Sequence, residues 1–302
     1  MKTTSQIFDL SSASLTPSRA ARLVDFYELT KPRMNFLVLI TTMVGYCLAS
    51  RAGEINWARL FHTLLGTALT AAAASVLNQF IERRFDALMP RTRNRPIPTG
   101  RIAPREALSL GVLLAVFGVA YLAIAVNALT AGLGAITLLG YIAIYTPLKQ
   151  RSTLNTVVGA IPGAIPPLMG FTAATGEISP AALALFAILF FWQMPHFLAI
   201  AILYKNDYAA GGFKMLPCVD EQLARRQIIL YSLALLPVTL YPVLLHMAGA
   251  AYFTAAVLLG LAFLSFGISC AASGARNDAR KLFFASIIYL PLLLAAMMID
   301  RP

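Results

Sequence analysis

Apolar runs long enough to cross a bilayer recur along this chain, separated by short segments that carry nearly all of its charge. Inside lipid every backbone N–H and C=O must find its partner within the protein, which leaves only helices and closed barrels. Runs of this kind approach the roughly 20 residues a helix needs to cross, about twice what a barrel strand needs. The runs are therefore read as helices. Of the 302 residues, 59% are hydrophobic and only 12% charged, against about 25% charged in an ordinary globular chain. Mean hydropathy is +0.73. A soluble globular domain, a disordered chain and a disulfide scaffold are excluded, and the fold class is an all-α integral membrane protein.

Nine spans are expected, roughly at 35–50, 60–81, 108–126, 129–145, 154–174, 181–203, 228–245, 250–272 and 282–299. The third and fourth meet at Asn127-Ala128, a very tight turn; merged, they would exceed any bilayer thickness. Of the 24 Lys and Arg residues, only Arg51, Arg59 and Arg301 then fall in outer segments. That bias sets the amino terminus in the cytoplasm and the carboxyl terminus outside. It also absorbs the net charge of +11, so no nucleic-acid partner is needed to explain it. Residues 1–34 form a polar cytoplasmic segment and 35–299 one nine-helix domain, with catalytic loops expected at about 82–107 and 204–227. Because the amino-terminal stretch lacks a basic-then-apolar signal, the first span serves as the insertion signal. The lack of an extended transit peptide points to a bacterial inner (plasma) membrane.

Cys47 and Cys270 lie in apolar runs and Cys218 in a polar loop, without the spacing of a zinc or redox site. The polar chemistry gathers elsewhere. If the second span continues as helix, Asn78, Glu82 and Asp86 stand at i, i+4 and i+8 and drift only about 80° around its axis. An amide and two carboxylates in one stripe make an all-oxygen ligand set. Mg²⁺ suits it, being bound typically through few carboxylates together with substrate phosphates. Arg83, Arg84, Arg91, Arg93 and Arg95 exceed what two carboxylates need as counter-ions, and guanidinium forks fit phosphate oxygens. A diphosphate site describes this better than an ion pathway; the alternative is a solvated interfacial stretch with ordinary inner-face arginines.

The second inner loop offers Asp207 as a carboxylate from the opposite side and Lys205 as a phosphate ligand, and Lys149 and Arg151 add cations at the same face. His196, inside the sixth span and after Pro195, is a general base, an axial ligand to haem iron, or a residue satisfied by a neighbouring helix. His62 and His246 lie near the outer interface and are read as structural. The fifth span carries Pro162, Pro166 and Pro167 with three glycines between 159 and 170, either as a cavity-lining broken helix or as a kinked packing helix.

At these residues the chain resembles a known family. The stripe Asn78-x-x-x-Glu82-x-x-x-Asp86 is similar to the first acidic motif of the UbiA superfamily of intramembrane prenyltransferases, whose members have nine helices. Longer stretches narrow the likeness to the protohaem IX farnesyltransferases, or haem O synthases. These are Leu29-Thr30-Lys31-Pro32-Arg33, Arg91-Thr92-Arg93-Asn94-Arg95-Pro96-Ile97-Pro98, 145–170, Trp192-Gln193-x-Pro195-His196-Phe197, Asp207-Tyr208-x-x-x-Gly211 and Met215-Leu216-Pro217. Two departures stand out. Glu82 replaces the aspartate of many superfamily members, and the second motif has Gly211 where a second aspartate is common.

The resemblance implies a UbiA-type bundle that moves a farnesyl group from farnesyl diphosphate to a vinyl group of haem B, with water added, giving haem O and diphosphate. It implies Mg²⁺ held by Asn78, Glu82, Asp86 and Asp207, with Arg91, Arg95, Lys149 and Lys205 on the diphosphate and His196 against haem. A haem A synthase or a terminal oxidase is an assembly partner by family alone. Three rivals stay open: a prenyltransferase for another aromatic acceptor, a transporter, and a haem-binding scaffold without catalysis.

Overall fold

The computed structural model describes residues 19–50 and 54–301. Met1 to Ser18 of the expected amino-terminal segment, and Arg51, lie outside the described residues. The rest of that segment is ordered: α1 (Arg19–Leu29) lays Leu29 against Val76, Ile97, Ile102 and Ala107. Gln79 Nε2 donates to the Leu29 carbonyl at 2.7 Å, and Arg101 pairs with Asp25.

Among the described residues, nine helices are long and apolar enough to cross a membrane. They are α2 (Pro32–Ala49), α3 (Trp57–Asp86), α4 (Pro104–Ala125), a composite span over Ala128–Arg151, α7 (Asn155–Thr175), α8 (Pro180–Leu203), α11 (Glu221–Leu244), α12 (Ala250–Ser273) and α13 (Arg276–Ile299). The composite span consists of α5 (Ala128–Leu139), a π-helical turn Gly140–Tyr145, and α6 (Thr146–Arg151). Short helices α9 (Lys205–Ala210) and α10 (Leu216–Val219) sit in the loop between α8 and α11. No strand occurs among the described residues.

Local chemistry fixes the ends. Proline opens α2, α4 and α8, where its missing N–H costs nothing. Side chains of Asn56, Asn127, Ser179 and Asp220 accept from the first turns of α3, α5, α8 and α11. Asn127 explains the tight turn between the third and fourth spans. Its Oδ1 caps Thr130 N–H at 2.7 Å, while its Nδ2 donates to the Thr172 carbonyl of α7 at 3.0 Å.

The helices form a ring in which α3 lies on α4, α4 on α5, α5 on α7, α7 on α2 and α8, and α8 on α11 and α13. Helix α12 bridges α11 and α13, and α13 returns to α2. The fifth span is one unbroken helix, α7, despite its three internal prolines, and it is the most buried of the nine. Glycines on both sides of the α2–α7 contact let the backbones touch: a Cβ on Gly170 of α7 would overlap the Thr42 carbonyl of α2, and one on Gly45 of α2 would overlap the Pro167 carbonyl of α7. The span is therefore a closely packed helix and not a broken one, although Pro166 and Met169 on it line a small crevice.

With 30 residues, α3 is about 45 Å long at 1.5 Å per residue. That exceeds a hydrocarbon core of about 30 Å, and its C-terminal end leads directly into the arginine-rich loop.

Candidate active site

The extra length of α3 holds the acidic stripe. Asn78, Glu82 and Asp86 are 2%, 4% and 1% exposed, and each meets a different partner. Lys149 of α6 donates to Glu82 Oε1 at 2.8 Å. Arg95, in the loop after α3, donates from one nitrogen to both oxygens of Asp86, each at 2.8 Å. Thr92 Oγ1 ties that loop to the Asp86 carbonyl at 2.9 Å. Asn78 lies between Thr146 Oγ1, at 3.1 Å from its Nδ2, and Lys31 Nζ, at 3.4 Å from its Oδ1.

Lys31, in the Leu29–Arg33 stretch, joins the site from the turn ahead of α2. It is a half-buried, left-handed residue (φ 48°) ahead of Pro32, a conformation that costs of order 1–3 kcal/mol. Asn35 Nδ2, donating to the Thr30 carbonyl at 2.6 Å, braces the turn. Burial pushes the Lys31 ammonium down to about 7, with Arg95 and Lys149 adding to the shift and Glu82 and Asp86 opposing it. A lysine directly before the proline that opens a span was the available signal, but spacing could not show that the turn aims at α3. With Lys31 protonated, Lys31, Lys149 and Arg95 outnumber Glu82 and Asp86 by one, so an incoming anion would favour the charged form of Lys31.

The other expected residues divide. Arg91 reaches the second loop, its guanidinium 4.4 Å from the Tyr204 ring centroid and 3.4 Å from the Tyr208 hydroxyl. The loops themselves dock through an apolar plug of Met89, Phe213 and Met215, with Phe85 against it. Lys214 N–H donates to the Lys149 carbonyl at 2.7 Å. Lys205, expected on diphosphate, instead pairs with Glu221 Oε2 at 2.7 Å. Asp207 is half-buried, and its carboxylate has no partner among the described residues. It does not join Glu82 and Asp86: among the described residues no three His, Cys, Asp or Glu side chains form a metal cluster. Arg83 turns back to the Phe80 carbonyl at 2.6 Å, and Arg84 and Arg93 are exposed.

Gly211 has a packing reason. A Cβ there would come within 2.9 Å of the Met89 side chain, so a second aspartate would have to push Met89 out of the plug between the loops.

His196 sits apart from the stripe, between α8 and α13, stacked on Trp192 and Phe283 at 5.0 and 5.1 Å. Ser286 Oγ donates to the Phe283 carbonyl at 2.6 Å, so it accepts from His196 Nδ1, 2.7 Å away. The Nδ1–H tautomer follows, and the Nε2 lone pair is left uncommitted.

The donor set fits a divalent ion that arrives with a polyanion. Buried amide and carboxylate oxygens on one helix face are hard ligands. The two carboxylates already have cationic partners, so a bare ion would meet no net negative charge, whereas a diphosphate would draw those cations to itself.

The UbiA prenyltransferase family profile matches residues 38–288 of this chain. A curated relative from Solibacter usitatus (strain Ellin6076), a protoheme IX farnesyltransferase, is 46% identical over 289 residues, covering 92% of this chain and 99% of its own. Among solved structures, that of digeranylgeranylglyceryl phosphate synthase superposes with a TM-score of 0.79 at 16% identity, covering 92% of this chain and 98% of that one. A UbiA homolog from Archaeoglobus fulgidus bound to Cd²⁺ gives 0.58 at 18% identity, covering 90% and 99%.

Proposed function

From the premise that this chain belongs to the UbiA prenyltransferase family, we propose that it transfers the farnesyl group of farnesyl diphosphate to a vinyl group of haem B, giving haem O. One observation carries the acceptor and donor: the near full-length identity to a protoheme IX farnesyltransferase. The buried oxygen stripe ringed by cations supports the diphosphate chemistry independently.

In the reaction, the C1–O bond of farnesyl diphosphate breaks and both electrons leave with diphosphate. A vinyl carbon of haem B bonds to the allylic cation, and water adds to the carbon left electron-deficient, releasing a proton to solvent. Asn78, Glu82 and Asp86 would hold Mg²⁺, all three from one face of α3. When bound, the metal neutralises the diphosphate as a Lewis acid and template. Lys149, Arg95 and Lys31 pass from their resting partners to the diphosphate oxygens, where fixed charges stabilise the leaving group most. Arg91 clamps the site from the exposed side. Lys205 stays with Glu221 and anchors α9 to α11. Below the stripe, Val38, Ala71, Ala74, Leu138 and Met169, with Thr67, Thr70 and Thr137, line a small, mostly apolar crevice between the same helices, which would have to widen to take the prenyl tail. His196 would face haem through Nε2. The basic end of the bundle lies in the cytoplasm, in a bacterial inner membrane.

The test is direct. Purified protein is incubated with haem B and farnesyl diphosphate, with and without Mg²⁺, and the haem product weighed by mass spectrometry. A Mg²⁺-dependent gain of one farnesyl plus water is expected; no haem product from folded protein would send the search to another prenyl acceptor.

A further inference from the structure

Thr146 is fully buried where the composite span passes from its π-helical turn into α6. Its N–H bonds to the Tyr141 carbonyl, five residues back, and its Oγ1–H donates to the same carbonyl at 2.8 Å. A carbonyl accepts and never donates, so the hydroxyl proton is committed there. Toward Asn78, Thr146 Oγ1 can only accept. The amide NH₂ of Asn78 meets it at 3.1 Å, and the amide oxygen is thereby turned to the other side, where Lys31 Nζ stands 3.4 Å away. Rotating the amide by half a turn would set its oxygen against the Oγ1 lone pair and take it away from Lys31 Nζ, losing both bonds.

The π turn aims this device. One residue fewer would swing Thr146 about 100° around the helix axis, away from α3. We propose that Thr146 is a positioning residue that holds the Asn78 amide with its oxygen facing the ion and diphosphate, an inference that rests on the prenyl-transfer reading above.

The full-length protein in detergent, with farnesyl diphosphate and no haem acceptor, is titrated with Mn²⁺, free ion being read by electron paramagnetic resonance. Thr146→Val and the smaller Thr146→Ala lack the hydroxyl and should raise the Mn²⁺ Kd about tenfold or more, the usual effect of losing an orienting partner. Thr146→Ser should stay within about twofold of the unsubstituted protein, since it keeps the same donor and acceptor. In an Asn78→Ala background, Thr146→Val should add less than about twofold, because coupled residues are non-additive. Unchanged affinity in the hydroxyl-free variants, an equal loss in Thr146→Ser, or losses that multiply would overturn the proposal. So would failure of both hydroxyl-free variants to fold, since orienting one amide is not needed to build the bundle. If the unsubstituted protein takes up no Mn²⁺ with farnesyl diphosphate, the metal–diphosphate reading falls as well, a result distinct from the others.

Discussion

Asp86 shows how much one carboxylate is asked to do: it is buried, faces Arg95 through both oxygens, and stands at the last residue of α3. Asp86→Asn keeps the shape and one acceptor for Arg95, and Arg95 itself is partly open to water. Abundance in the membrane should stay near that of the unsubstituted protein, while turnover falls at least about a hundredfold, the scale of losing one electrostatic contact to a transition state. Full activity in that variant would remove Asp86 from the site. Lys31→Met deletes a charge beside Asn78, and charge-assisted bonds of about 1.5–3 kcal/mol translate to a rise of about tenfold or more in KM for farnesyl diphosphate. An unchanged KM would confine Lys31 to shaping the turn. For His196, the tautomer set by Ser286 leaves Nε2 free. His196→Ala should weaken haem retention or shift the haem absorption spectrum, and a spectrum and rate both unchanged would return the residue to packing between Trp192 and Phe283.

At the scale of elements, the site exists because two loops and two helix ends converge. Helix α3 leads directly into the arginine-rich loop, the π turn rotates α6 so that Thr146 and Lys149 face α3, and Met89 with Phe213 joins the loops. Gly211 is part of that joint, not a missing ligand. Gly211→Asp would restore the carboxylate common elsewhere in the superfamily, yet it should lower product formation at least about tenfold by displacing Met89, as overpacking forces neighbours to move. The melting temperature of the bundle should hardly change, since the joint lies outside the spans. A second substitution, Met89→Ala, should recover part of the loss. Higher activity in Gly211→Asp alone would contradict this account.

The whole molecule is a ring of nine spans with its acidic, cation-ringed site at one end. Among the described residues the opposite end has only two cations, and both cap backbone carbonyls: Arg59 donates to Val126 O at 3.2 Å and Arg301 to Cys47 O at 2.9 Å. The basic end should therefore face the cytoplasm. In a cysteine-free background, Arg93→Cys should react with an impermeant thiol reagent in inverted vesicles but not in intact cells, and Glu54→Cys the reverse. The opposite pattern would invert the topology.

The sequence alone determined the class of fold, because lipid permits few solutions and apolar length is read directly from residue types. It also determined which residues share the α3 face, since Asn78, Glu82 and Asp86 repeat every four residues, and local chemistry placed the turn at Asn127. Only the tertiary structure decided who meets that face. Lys31 and Lys149 reach it through a left-handed turn and a π turn, neither of which leaves a periodic trace. The same holds for departures from expectation: Glu221 draws Lys205 away, the Met89 plug keeps Gly211 small, and Asp207 stands off from the stripe. Contacts between segments distant in sequence depend on backbone placement to within an ångström or two, and periodicity carries no information at that scale.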